Sequence, residues 1–314
     1  MSWALLCSGQ GGQSATMFDG IAGDAAAAAL RDAATPYLPA APRELLAGAA
    51  DIFSNSIAQP LVCAAALARW ESLRGALPAP HVVLGYSVGE LAAHAIAGSF
   101  TAAECLRLAA RRAALMDAAA FPGAGLLAVR GVAPARLAQL CAATGATPAI
   151  VNGPRHVVLG GDADALAALA AALAGSGAHV VRLPVAVAAH TPQLRAAAVA
   201  FAAELERAAL ATPQLTVLAG IDAAPVRERG RLVATLAAQI AQTVDWERCL
   251  AQAVERGATV LFELGPGSAL ARIARENHPQ VAARALDEFA SSAGAARWLR
   301  QALAAAPGGD AGST

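Results

Sequence analysis

Gly85-Tyr86-Ser87-Val88-Gly89 stands between a short apolar run, His81–Leu84, and a small-residue helical pattern. Strand, G-x-S-x-G turn and helix together form the arrangement of a nucleophile elbow. The sharp turn exposes the serine oxygen, and glycine is needed where a Cβ would clash. The helix that follows points its N-terminus at the serine, where free backbone N–H groups can receive negative charge. The plainer alternative is an ordinary turn that holds a serine, because the motif recurs by chance in a Gly/Ala-rich chain.

A serine hydroxyl needs a base. Six histidines are available: His81, His94, His156, His179, His190 and His278. His81 in the elbow strand and His94 on the next helix read as packing residues. His156 and His179 fall on later strands, and His278 lies in a polar loop before Pro279. His190 follows Arg182–Ala189 and precedes Thr191-Pro192, which restarts helix, so it lies where the chain re-enters the main domain. Composition alone reads it as a loop histidine at a helix entry.

Two further groups could serve such a serine. Gly9-Gln10-Gly11-Gly12-Gln13 follows the first strand. It lacks the third glycine of a dinucleotide fingerprint and the lysine of a P-loop. The other reading is a loop that brings a backbone N–H to the reacting carbon. Arg111 and Arg112 are adjacent and so point about 100° apart on a helix; at most one faces a buried site, and spacing alone favours two solvated arginines.

The elements that must carry these residues alternate short β-type runs with longer alanine-rich helical patterns, which predicts an α/β fold around a mainly parallel sheet. Trp3–Cys7 is the first strand, Ile57–Arg74 a clear helix, and Thr101-Ala-Ala-Glu104 a capping box opening a helix to about Ala119. From Gly125 the order becomes strand (Leu126–Arg130), helix (Pro134–Ala143), strand (Thr147–Val151), strand (His156–Gly160), helix (Ala163–Ala174), strand (Ala178–Leu183). That βαββαβ order is ferredoxin-like. The expected division is a discontinuous core of residues 1–123 and 185–305, a small insert at 124–184, and a frayed tail at 306–314.

Composition narrows the class. With 57% hydrophobic and 15% charged residues the chain is a compact globular protein. Lys+Arg and Asp+Glu balance at 23 each, so charge gives no reason to expect nucleic acid or an anionic membrane as partner. Five scattered cysteines without C-x-x-C spacing argue against a disulfide framework and a zinc site. The start lacks a signal-peptide pattern, and the alanine runs are interrupted before a spanning length. The expectation is a soluble, cytoplasmic enzyme without a metal.

Taken in order, the chain resembles the malonyl-CoA:acyl-carrier-protein acyltransferase family over nearly its whole length. The resemblance rests on Gly9-Gln10-Gly11-x-Gln13, Gln59-Pro60, Gly85-x-Ser87-x-Gly89-Glu90, Arg112-x-x-x-Met116 and Val151-Asn152-x-Pro154. It continues through Leu183-Pro184-Val185 to His190, then Gln239 with Val244-x-Trp246, and Glu263-x-Gly265-Pro266-Gly267. It implies a hydrolase-like core with a ferredoxin-like insert. It also implies that Ser87 is the nucleophile, His190 its base, and a backbone carbonyl near Gln239 the group that orients the histidine. The N–H groups of Gln10 and Val88 would form the oxyanion hole, and Arg112 would grip the malonyl carboxylate.

Departures from the usual pattern sharpen the resemblance. Cys7-Ser8 stand where Phe-Pro is usual, Gly12 where Ser is usual, and Tyr86 where His is usual. The combination looks like the branch serving malonate decarboxylase, its epsilon subunit, in which the acceptor is a small carrier with a phosphopantetheine-like thiol. Tyr86 and Gln239 would then contact substrate, with malonyl-CoA and that thiol as substrates and no bound cofactor. The alternatives are malonyl transfer in fatty-acid or polyketide synthesis, a serine thioesterase, a patatin-like lipase, and a non-catalytic carrier-binding subunit. A thioesterase calls for a triad acid, and Asp162 and Asp164 read instead as residues at a helix start. The lipase would need an Asp-Gly-Gly or Asp-Gly-Ala motif, which the chain lacks.

Overall fold

The computed structural model describes residues 2–21 and 23–305; the expected tail at 306–314 lies outside the described residues. Eleven strands are present among these: β1 (Ser2–Cys7), β2 (Val82–Gly85), β3 (Gly125–Arg130), β4 (Thr147–Gly153), β5 (His156–Gly161), β6 (His179–Arg182), β7 (Thr216–Leu218), β8 (Pro225–Val226), β9 (Val244–Asp245), β10 (Ala258–Glu263) and β11 (Ala282–Ala285).

They form two sheets. The larger has the order β11-β10-β1-β2-β7-β8 and is parallel except for the β7–β8 pair. Its central strands are continuous apolar runs: β2 is buried throughout and β1 from its second residue on. Strands covered on both faces read this way, since neither face meets water. The cover includes the helix Asn55–Arg74, which buries fifteen residues, many of them alanine. No helix among the described residues is long and apolar enough to cross a membrane.

The smaller sheet has the order β6-β3-β5-β4-β9. Its first four strands and the helices Pro134–Thr144 and Ala163–Leu173 follow the βαββαβ order, and β9, from the later part of the chain, adds to β4 in parallel. Strand alternation divides this sheet's residues between two tasks. Leu127, Val129, Val157 and Leu159 enter a separate apolar cluster with Leu137, Leu140, Leu166 and Leu169 of the two helices. Their neighbours Leu126, Ala128, Arg130 and Val158 face the other way, toward the large sheet, and line a cleft.

Local signals set the helix starts. Thr101 Oγ1 accepts from Glu104 N, and Asp162 Oδ1 accepts from Ala165 N. Asp162 is therefore an N-cap, as expected, and that leaves it no part in a triad.

Candidate active site

β1 and β2 pair in parallel with Cys7 opposite Gly85, so both strands end side by side and their loops emerge together. A Cβ at Gly85 would overlap the backbone of Glu90, and one at Gly89 would overlap the carbonyl of Cys7. Turn and helix can pack this closely only with glycine at both places. Ser87, at the tip, has φ 55°, and Val88 caps the helix Gly89–Ile96.

His190 arrives from the insert's far end and also has a positive φ, 62°. Its backbone N–H donates to Ile240 O at 2.9 Å. Its Nε2 lies 2.8 Å from Ser87 Oγ and its Nδ1 2.6 Å from the carbonyl oxygen of Gln239. A carbonyl only accepts, so Nδ1 carries the proton and Nε2 is left with a lone pair for the serine. Gln239 ends the helix Arg229–Ala238, where carbonyls lack helical partners and the macrodipole is negative. His190 is 1% exposed. Burial, and then the nearby Arg112, push its pKa down to about 3, while the Gln239 carbonyl opposes them. The imidazole is therefore neutral and able to accept a proton.

The adjacent arginines separate as helical geometry requires. Arg111 is exposed and pairs with Glu204 at 3.0 Å, whereas Arg112 is 1% exposed. Arg112 Nη1 donates to Gln59 Oε1 at 2.9 Å and Nη2 to Gln239 Oε1 at 3.1 Å; Nη2 lies 3.5 Å from Ser87 Oγ. Burial lowers its pKa to about 10, so it stays a cation at neutral pH. Gln239, expected as a substrate contact, instead points its side chain away from the cleft: Nε2 donates to Glu90 while Oε1 holds Arg112.

Tyr86 packs edge-on against Trp246 with ring centroids 5.3 Å apart, and it lines the cleft. Burial pushes its phenol up to about 12, and Asn152 lies beside it, so Tyr86 stays a neutral hydroxyl. The Gln10 and Val88 backbone N–H groups donate to no protein acceptor among the described residues. The loop carrying Gln10 is pinned from two sides. A Cβ at Gly9 would sit 2.7 Å from Tyr86 O, and one at Gly12 would overlap the Pro266 carbonyl. The absence of the usual serine at position 12 is thus matched by a lack of room for a side chain. Arg69, 3% exposed, donates to Leu264 O at 2.7 Å and pairs with Asp287, which in turn accepts from Gly267 N.

The cleft between the two sheets has a volume of about 510 Å³ and contains Gln10, Tyr86, Ser87 and His190 on its floor. Of the remaining histidines, His156 and His179 line its wall. His156 Nδ1 lies 3.1 Å from Arg130 Nη2, and burial followed by that arginine lowers its pKa to about 4. His94 is buried with Nδ1 3.1 Å from Ser99 Oγ, as a packing residue. His81, read from the sequence as another, is exposed, because the strand starts one residue later at Val82. Among the described residues no three His, Cys, Asp or Glu side chains gather as a metal-holding group.

Two acids that the sequence motifs include without a role, Glu90 and Glu263, are buried here. Glu90 Oε2 accepts from Gly220 N at 3.1 Å and from Gln239 Nε2, and burial raises its pKa to about 7. Glu263 accepts from Ser8 Oγ at 2.7 Å and Ala271 N at 2.8 Å, with its pKa also raised by burial to about 7. Both stood in plain view as charges inside apolar segments, Glu90 before Leu91-Ala-Ala and Glu263 after Val260-Leu-Phe.

Comparison with known proteins adds to this geometry. The family model for the acyl transferase domain matches residues 4–300. A malonyl CoA-acyl carrier protein transacylase of Mycobacterium bovis is 35% identical over 251 residues, which are 77% of this chain and 83% of the relative. The crystal structure of MCAT from Mycobacterium tuberculosis superposes with a TM-score of 0.86 at 33% identity, covering 94% of this chain and 98% of that one. A malonyl-CoA:acyl carrier protein transacylase from Xanthomonas oryzae gives 0.89 at 27% identity, covering 96% and 99%.

Proposed function

The chain belongs to the acyl transferase family, and from that membership we propose that it is a malonyl-CoA:acyl-carrier-protein transacylase. It would move a malonyl group from CoA through a Ser87 ester to the thiol of a carrier protein. The observation that carries this reading is the buried Arg112 guanidinium 3.5 Å from the Ser87–His190 pair. A hydrolase of simple acyl esters has no use for an unneutralised cation at its nucleophile; an acyl group ending in carboxylate does.

The steps follow from the geometry. His190 Nε2 takes the Ser87 proton as Oγ attacks the thioester carbon. The oxyanion is received by the Gln10 and Val88 N–H groups, each such donor contributing about 3–4 kcal/mol of barrier lowering. The protonated imidazole is stabilised by the Gln239 carbonyl and returns the proton to the leaving CoA thiolate. A carrier thiol then attacks the malonyl ester, with His190 again as base. Arg112 sets the preference, because an acetyl group would leave its buried charge without a carboxylate. The Nδ1 partner is a backbone carbonyl where a Ser-His-Asp hydrolase would carry an acid, and it orients the imidazole in that acid's place.

For the acceptor, we infer the phosphopantetheine-type carrier of a malonate decarboxylase. Tyr86 in place of histidine, Cys7-Ser8 and Gly12 support this choice, while the named relatives favour a general acyl carrier protein. Tyr86 offers a neutral hydroxyl at the cleft floor, and the substrates are the only cofactor-like groups the reading needs. Intact-protein mass spectrometry after brief mixing with malonyl-CoA tests the reading, with acetyl-CoA and Ser87→Ala in parallel. The expected result is one malonyl adduct that requires Ser87, exceeds the acetyl signal and is discharged by carrier thiol. Free malonate without discharge to a carrier would point to a thioesterase. No adduct and no turnover would leave a carrier-binding subunit.

A further inference from the structure

Arg112 is held by two side-chain amides, and each turns its oxygen to the guanidinium. Gln239 lies between Arg112 and Glu90. The Arg112 guanidinium can only donate, so the Gln239 oxygen is turned to Arg112 Nη2 and its NH₂ faces Glu90 Oε2. Gly220 N also donates to Glu90 Oε2 at 3.1 Å, and a Cβ at Gly220 would stand 2.9 Å from that oxygen. The carboxylate is thus seated against backbone and cannot drift from Gln239.

The second amide is ordered the same way from the opposite side. Asn55 Nδ2 donates to Ala113 O at 3.2 Å and to Asp117 Oδ1 at 2.9 Å. Both partners only accept, so Asn55 Oδ1 is left facing Gln59 Nε2 at 2.7 Å. The oxygen of Gln59 is therefore turned to Arg112 Nη1 at 2.9 Å. Asn55 and Gln59 stand one helical turn apart, and Asn55, Gln59, Glu90, Arg112 and Gln239 are all less than a tenth exposed.

We propose that Glu90 acting through Gln239, and Asn55 acting through Gln59, are positioning residues that keep Arg112 aimed at the nucleophile while leaving its charge uncompensated. Two carbonyl oxygens satisfy N–H donors without cancelling the cation, and the carboxylates stand at least one amide further out. A carboxylate in direct contact would hold the guanidinium equally well and compete with the acyl carboxylate. Reversed amides would turn NH₂ groups onto a guanidinium that has no acceptor. The inference rests on Arg112 as the carboxylate grip of the proposed reaction, and it assigns selectivity to side chains that make no hydrogen bond to the side chains of the Ser87–His190 pair.

The test compares acylation of Ser87 by malonyl-CoA and acetyl-CoA in the full chain, read as single-turnover rates by intact mass. Arg112→Ala is the reference: a malonyl preference that survives it overturns the reading of the site and the relay together. Glu90→Gln keeps an acceptor oxygen for Gln239 and is expected to hold the wild-type preference within about threefold. Glu90→Leu removes the acceptor, and Gln59→Glu places a carboxylate directly on Arg112. Each is expected to cut the malonyl-to-acetyl ratio about tenfold or more while acetyl acylation falls no more than about threefold. Gln59→Glu is isosteric and keeps the test alive if Glu90→Leu does not fold. An unchanged ratio in the folded variants, or equal losses for both acyl groups, overturns the proposal.

Discussion

Ser87 and His190 meet at 2.8 Å with both backbones in the left-handed region, at φ 55° and 62°. Such a conformation in a residue with a Cβ costs on the order of 1–3 kcal/mol. Glycine would relieve it at either place but would delete one of the two reacting groups. Ser87→Gly is therefore expected to be more stable than Ser87→Ala by about 1 kcal/mol in urea unfolding, with acylation lost in both. Equal midpoints would show that the turn carries no strain.

The pH dependence of acylation follows from His190. In the proposed mechanism its neutral form is the base, and burial lowers its pKa from the usual value to about 3. The acid limb of the rate therefore moves down. Single-turnover acetyl acylation is expected to stay level from about pH 8 to about pH 5, with no fall near the ordinary histidine value of about 6.5. A half-maximal rate close to 6.5 would mean that water reaches the imidazole before substrate does.

Glu263 links stability to pH in the opposite sense from a salt-bridged acid. Its pKa is raised on folding, to about 7, so between its unfolded value and about 7 the folded state holds more protons than the unfolded one. Stability then falls as pH rises through that window. Glu263→Gln keeps an oxygen for Ala271 N and an NH₂ for Ser8 Oγ and removes the titration. Relative to the parent, the variant is expected to gain stability between about pH 5 and pH 8 in urea unfolding, by about 1 kcal/mol or more. A constant difference across that range would show that Glu263 is ionised throughout.

Gly12 and Pro266 make a steric prediction. A side chain at position 12 would overlap a backbone carbonyl, which cannot swing aside like a side chain. Gly12→Ser is expected to lose about 1–3 kcal/mol of stability. Because Gln10 rides on the same loop, acylation is expected to slow about a hundredfold as one oxyanion donor shifts. Unfolding and single-turnover rates measured together check both, and a destabilised variant with the parent rate would separate the loop's packing from its chemistry.

Much of the site was legible because its signals are local. The elbow is five residues of turn chemistry between a strand and a helix, and the helix caps at Thr101 and Asp162 each need only the next three residues. The βαββαβ insert announced itself by alternation and helical period within short windows. The two-residue strands β8 and β9 left no such signal, and β9 takes its place from pairing with β4, nearly a hundred residues away in sequence. His81 was misplaced for a related reason. Apolar neighbours cannot tell the last exposed residue before a strand from the first buried one.

From its sequence alone the chain determined which residue types could react, the elements that carry them, and that at most one of two adjacent arginines could face a buried site. Only the tertiary structure decided that Arg112 is buried between the side-chain oxygens of Gln59 and Gln239, and that Glu90 stands behind Gln239. The physical reason is range. Turns, caps and periodicity act within one or two helical turns, whereas a buried polar group must find partners wherever packing brings them. Ser87 and His190 are 103 residues apart and Glu90 and Gln239 are 149 apart. The larger sheet brings these segments together, and a buried charge or amide is then held in the one polarity its neighbours allow.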